Sequence, residues 1–76
     1  MAVQRSEIRA EMVAQVHSIV VPVGAVVRAG DTVVLLESMK MEIPVNSEID
    51  GRVLELAVAP GDAIHEGDLI AVVSND

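Results

Sequence analysis

The chain has 76 residues, of which 51% are hydrophobic and none is aromatic, and it contains no cysteine. A domain of this size buries only about 60% of the surface its unfolded chain exposes; lacking a disulfide or a Cys/His cluster at metal spacing, it has to close on itself, as a barrel or sandwich does. A formal net charge of −7 repels nucleic acid phosphates and anionic lipid, so neither nucleic acid nor a membrane is expected as a partner.

The opening "MAVQRSEIRAEM" has no basic stretch leading into an apolar run, and residues 1–6 are expected as a flexible tail of a single domain spanning 1–76. No later run approaches the roughly 18 apolar residues of a membrane span, which gives a cytoplasmic location as the expectation. Short runs of Val, Ile and Leu then alternate with glycine-containing turns such as "PVGAVVRAGD" and "APGDAIHEGD". Their β-branched content disfavours helix, and the spacing predicts strands at about 7–12, 15–21, 25–27, 33–38, 41–47, 51–58, 62–64 and 69–74. The core between such strands is thin, and no deep ligand pocket is expected.

A shift of 37 positions superposes the two halves of the chain, about 10–38 and 47–75. Gly24 falls on Gly61, Gly30 on Gly67, Asp31 on Asp68, and Val33 to Leu36 on Ile70 to Val73. Two copies are too few for a solenoid, so the halves are expected to be related by an approximate twofold axis in an all-β flattened barrel of eight strands. The alternation near the sixth strand is imperfect. Leu54, Leu56 and Val58 share one face that Val53 does not, which predicts a bulge or a crossing between sheets near 54–55, with His17 and Ser18 at the corresponding place of the first half.

The chemistry-bearing residues outside this pattern point to no enzyme. The two Gly-Asp pairs at 30–31 and 67–68 are followed by no helix on which a phosphate could sit, and they fit turns that need a positive φ and a local acceptor. His17 and His65 do not superpose under the repeat and have no second ligand at metal spacing, so no metal site is expected. Glu37 and Glu42 lack the cleft that paired carboxylates need, and no serine sits in a nucleophile elbow. No catalytic residue is assigned.

What remains is "MKM" at 39–41, between the runs "VVLLES" and "EIPVN", and therefore on a hairpin tip at the junction of the halves. Lys40 is the only lysine; the other cations are Arg5, Arg9, Arg28 and Arg52. If the segment is extended, Met39 and Met41 point to the side opposite Lys40. They either cap the end of the core or offer a flexible apolar surface to a partner. The repeat relates the tip to the region holding both chain ends, so the two should lie at opposite ends of the barrel.

The stretch "ESMKMEIPV" closely resembles the biotin attachment motif of biotinyl domains, Met-Lys-Met preceded by Glu and a small residue. The resemblance runs from about Glu7 to Ser74 and is strongest to small free-standing biotinyl proteins and to the carrier domains of biotin-dependent carboxylases. It implies a barrel-sandwich hybrid of two four-stranded antiparallel sheets and a non-catalytic carrier. Lys40 would bear covalent biotin on its ε-amine, with Met39 and Met41 serving presentation and recognition. The implied partners are biotin protein ligase, biotin carboxylase and carboxyltransferase. Ser38 stands where Ala is common, and the protruding loop of some acetyl-CoA carboxylase carriers is absent. A lipoyl carrier shares the fold but usually shows Asp-Lys-Ala at the tip, and an unmodified structural module would not require a lone lysine.

Overall fold

Valine-rich runs cut at regular intervals by glycine turns are realised as eight strands and no helix in the computed structural model, which describes residues 4–75. In chain order they are β1 (Arg5–Arg9), β2 (Ala14–Ile19), β3 (Val26–Val27), β4 (Thr32–Ser38), β5 (Met41–Asn46), β6 (Gly51–Leu56), β7 (Ala63–Ile64) and β8 (Leu69–Ser74). The first strand starts earlier than the sequence pattern suggested, because Arg5 and Ser6 pair with Ser74 and Val73. Those two residues therefore belong to the sheet rather than to a tail, while residues 1–3 of that expected tail lie outside the described residues. Ala10 leaves the ladder to exchange backbone hydrogen bonds with the turn at Gly67 and Asp68.

The strands form two four-stranded antiparallel sheets, ordered β1-β8-β6-β3 and β5-β4-β2-β7. Each sheet has two inner strands from one half of the chain and two outer strands from the other. Adding 37 to the bounds of β2 and β3 reproduces those of β6 and β7. The same shift relates the hydrogen bonds that join the halves. Val16 donates to the Asp62 carbonyl (2.8 Å) and accepts from the Gly61 amide (2.8 Å), just as Val53 donates to Ala25 (2.9 Å) and accepts from Gly24 (2.7 Å).

Bulges occur in symmetric pairs, between Val16 and Ser18 in β2 and between Val53 and Glu55 in β6. The second confirms the irregularity expected near 54–55 but reverses the face. Val53 pairs with Val73 and is 1% exposed, whereas Leu54 is the extra residue and is 41% exposed. After the bulge Leu56 packs against the core on the same side as Val53. Two further shifts, in the β4–β5 and β1–β8 ladders, let consecutive residues point inward at Val33–Val34 and Ile70–Ala71. The core is thus small aliphatic side chains in close rows, with Val33, Val34, Ile70, Ala71 and Val73 fully buried.

The turns show why the acids sit where they do. Asp31 accepts the Arg28 amide (3.0 Å), Asp68 accepts the His65 amide (2.9 Å), and Asp62 accepts the Ala59 amide (2.9 Å). The fourth turn has Ala25 where Asp62 stands, and its first residue is Pro22, which has no N–H to satisfy. One missing carboxylate is therefore matched by one missing donor.

Candidate functional site

The β4–β5 hairpin runs from the Thr32–Asn46 pair to the Ser38–Met41 pair, and only Met39 and Lys40 connect its strands. Both take a left-handed backbone, with φ of 52° and 65°. Two consecutive positive-φ residues in a two-residue loop make a type I′ turn, whose twist matches the strands it joins. Asn-Gly is the usual filling; methionine and lysine there each cost about 1–2 kcal/mol relative to right-handed backbone. The tip is therefore not extended, and the alternation expected for Met39, Lys40 and Met41 does not apply. Closing a hairpin in two residues forces the reversal.

Met39 is 92% exposed and Met41 63% exposed, and neither belongs to the core cluster, so of the two roles left open for them capping the core is ruled out. Ser38 is half-buried beneath them. The Lys40 side chain is exposed and, among the described residues, forms no ion pair and no hydrogen bond. On the next rung Glu37 and Glu42 stand directly opposite each other, an unfavourable like-charge pair in isolation. Glu42 Oε2 lies 3.8 Å from His17 Nδ1 on β2, and both side chains are largely solvated, which makes this a weak contact.

The remaining candidates from the sequence are not gathered at this tip. His65 lies in the turn between β7 and β8, 3.8 Å from Asp68. The Gly-Asp pairs are the turn caps described above. Among the described residues no three His, Asp or Glu side chains converge as metal ligands would.

Gln4 and Asn75, the two ends of the described residues, lie together and connect through a series of rungs to the base of the hairpin. Gln4 donates to Asn75 Oδ1 (2.7 Å), and Asn75 donates to the Gln4 carbonyl (3.1 Å). Ser74 pairs with both Arg5 and Arg52, Gly51 pairs with Val27, and Asp50 accepts from Ala29 (2.8 Å). Ser47 in turn donates to Asp31 beside the Thr32–Asn46 rung. Six residues of strand at about 3.4 Å each separate that base from Lys40, roughly 20 Å. The longest dimension of the molecule is 42 Å. The opposition of tip and chain ends drawn from the repeat is therefore present.

Sequence reasoning did not find an open groove of about 360 Å³ between β1 and β5, lined among others by Ile8, Leu36 and Ile43. The seam between two edge strands leaves it open to solvent. Apolar alternation in each strand alone carries no sign of which edges will face each other.

Among the described residues, the hairpin tip presents the Lys40 amine to solvent. The family model described as "Biotin-requiring enzyme", for biotin and lipoyl attachment, matches residues 6–73. The chain is 53% identical over 68 residues to the biotinylated protein TB7.3 homolog of Mycobacterium leprae, covering 90% of this chain and 96% of that one. Among solved structures, urea carboxylase of Kluyveromyces lactis superposes with a TM-score of 0.87 at 33% identity, over 92% of this chain but only 6% of that enzyme. The lipoyl domain of the 2-oxoglutarate dehydrogenase complex of Azotobacter vinelandii superposes with a TM-score of 0.71 at 22% identity, covering 87% of this chain and 94% of that one, and attests the shared fold alone. By sequence and by fold, this chain belongs to the biotin/lipoyl attachment family.

Proposed function

We propose that the protein is a biotin carrier whose Lys40 Nζ bears biotin through an amide bond. The observation that carries the reading is the isolation of that amine. It is the only lysine, it stands at the apex of a left-handed two-residue turn, and its side chain has no competing partner among the described residues. An amide at Nζ requires only that the amine be reachable, and this one fits. The similarity to a protein named as biotinylated, at 53% identity, favours biotin over lipoate.

Biotin, when bound, supplies a ureido nitrogen that accepts and releases a carboxyl group. The residues of this chain hold and present it. Leu36, 3% exposed, anchors β4 in the core and fixes the hairpin, while Met39 and Met41 offer an apolar surface to each protein that must recognise the tip. Tethering raises the local concentration of the cofactor at successive sites. The partners that go with this role are a biotin protein ligase, a biotin carboxylase and a carboxyltransferase, with the chain itself non-catalytic and in the cytoplasm, where ATP for ligase and carboxylase is at hand.

Co-expression with a biotin ligase tests the reading by intact mass and peptide mapping. A single biotinyl group on Lys40 is expected, and Lys40→Arg should fold but bind no streptavidin. A streptavidin signal that survives this change, or a lipoyl adduct in place of the biotinyl one, would overturn the assignment.

A further inference from the structure

β1 and β5 are each the outer strand of a sheet, and no ladder joins them. The groove of about 360 Å³ between them lies within the size range of small-molecule sites, about 300–1,000 Å³. Its lining is mixed, an apolar floor rimmed by the charged side chains of Glu7, Arg9, Glu11 and Glu48. Ile8 and Leu36, 7% and 3% exposed, reach it from the core, and Ile43 lines it from β5. Met12, 38% exposed, also borders it. Two polar side chains at the groove keep unused capacity. Asn46 Oδ1 accepts from Thr32 Oγ1 (2.9 Å), which leaves the amide N–H groups of Asn46 to donate elsewhere. The Glu11 carboxylate has no partner among the described residues.

The groove is also within reach of the tip. Ile43 is on the same hairpin as Lys40, three residues along the chain, or about 10 Å at the rise of a strand. A biotinyl-lysine arm spans roughly 14 Å from Cα to its ring system and about 18 Å to the ureido edge, at bonds of about 1.5 Å, so the ring covers Ile43 while the ureido edge comes within side-chain reach of Asn46, about 20 Å along the strand. We infer that the β1–β5 groove is a resting dock for the biotin carried by Lys40 of the same chain. The inference rests on the biotin reading of Lys40. The thiophane face of the bicycle packs on Ile8, Leu36 and Ile43. A ureido N–H donates to Glu11, and the ureido carbonyl accepts from the Asn46 amide. The chemistry required is that of a neutral cyclic urea fused to an apolar ring, which offers both donors and an acceptor on one edge.

A dock of this kind is useful only if weak. The tethered ring is present at an effective concentration in the millimolar range, so a site with a dissociation constant near 1 mM is about half filled. Such a site covers the apolar ring between encounters and releases it at little cost to a partner that binds the ring more tightly.

The test is heteronuclear NMR of the full chain with and without biotin on Lys40, the modification verified by intact mass. Expected are shift changes at Ile8, Met12, Ile43 and Asn46 in addition to those at 39–41, with nuclear Overhauser contacts between biotin ring protons and the Ile43 methyls. Asn46→Ala and Glu11→Ala should each lower the docked population by roughly threefold to tenfold, the loss of one hydrogen bond, and leave the tip shifts in place. Changes confined to 39–42 in verified biotinyl protein would overturn the dock while leaving the carrier reading intact. Absence of biotin from Lys40 after ligase treatment would instead overturn the carrier reading, and the dock with it. The contacts in the wild-type protein decide the matter even if a variant folds poorly.

Discussion

Gly51→Ala places a methyl group where two strands meet most closely, at the base of the molecule. Its φ is not among the positive values, so alanine there suits the backbone, and in a strand it is worth about 0.5–1 kcal/mol over glycine. Any loss is therefore steric. The added Cβ would overlap the Ser74 carbonyl oxygen and lie 2.6 Å from its carbon and 3.1 Å from the Asn75 nitrogen. These are backbone atoms of the end of β8, which is bonded to β1 on one side and β6 on the other. Relief requires β8 to shift away from β6, with an overpacking cost of about 1–3 kcal/mol and one or two hydrogen bonds weakened at about 1 kcal/mol each. The sum, about 1–4.5 kcal/mol after the alanine gain, is a sizeable part of the roughly 4–11 kcal/mol expected for a chain of this length. Urea titration followed by far-UV circular dichroism should show the midpoint falling by about 1–3 M at an unchanged slope. Gly61→Ala is the comparison: nothing lies within 4 Å of its Cβ, and its φ of 91° alone makes the change unfavourable. A Gly51→Ala midpoint within error of wild type would refute the close-packed base.

Met39→Ala and Met41→Ala should each cost under about 1 kcal/mol, because both side chains are exposed, while Leu36→Ala on the same hairpin should cost about 2–5 kcal/mol; core-sized losses at both methionines in denaturant titrations would return them to a structural role. Tags fused at either end of the chain should leave the rate of ligase modification of Lys40 unchanged, since Gln4 and Asn75 lie together, away from the hairpin tip. A terminal tag that blocks modification would contradict that placement.

Much of this architecture is legible because side-chain size and turn chemistry recur at one interval. Gly24 and Gly61 both have φ above 90°, as do Gly30 and Gly67, so the repeated glycines did mark repeated turns. Lys40 could be singled out because uniqueness is a property of composition and needs no geometry. Three features were not legible. The inward position of Val53 depends on where a bulge drops its extra residue, and Leu54, as apolar as Val53, conceals the choice. The left-handed tip was hidden because methionine and lysine are poor left-handed residues, and the hairpin closes there against local preference. The seam between β1 and β5 arises only once each outer strand has crossed to the sheet of the other half.

That crossing also governs how the barrel is closed. Two identical half-length chains could close the same barrel by exchanging their short strands around a twofold axis, as isologous dimers do. Such a dimer would hold chain breaks at both ends and no hairpin at either. Covalent joining of the halves converts one of these breaks into the Met39–Lys40 connection and leaves the other as the adjacent pair Gln4 and Asn75. The apex that offers an amine and the opening that offers the chain ends are thus the two versions of a single position, one sealed and one cut. A barrel made from one chain has one sealed end, however symmetric the rest of it is.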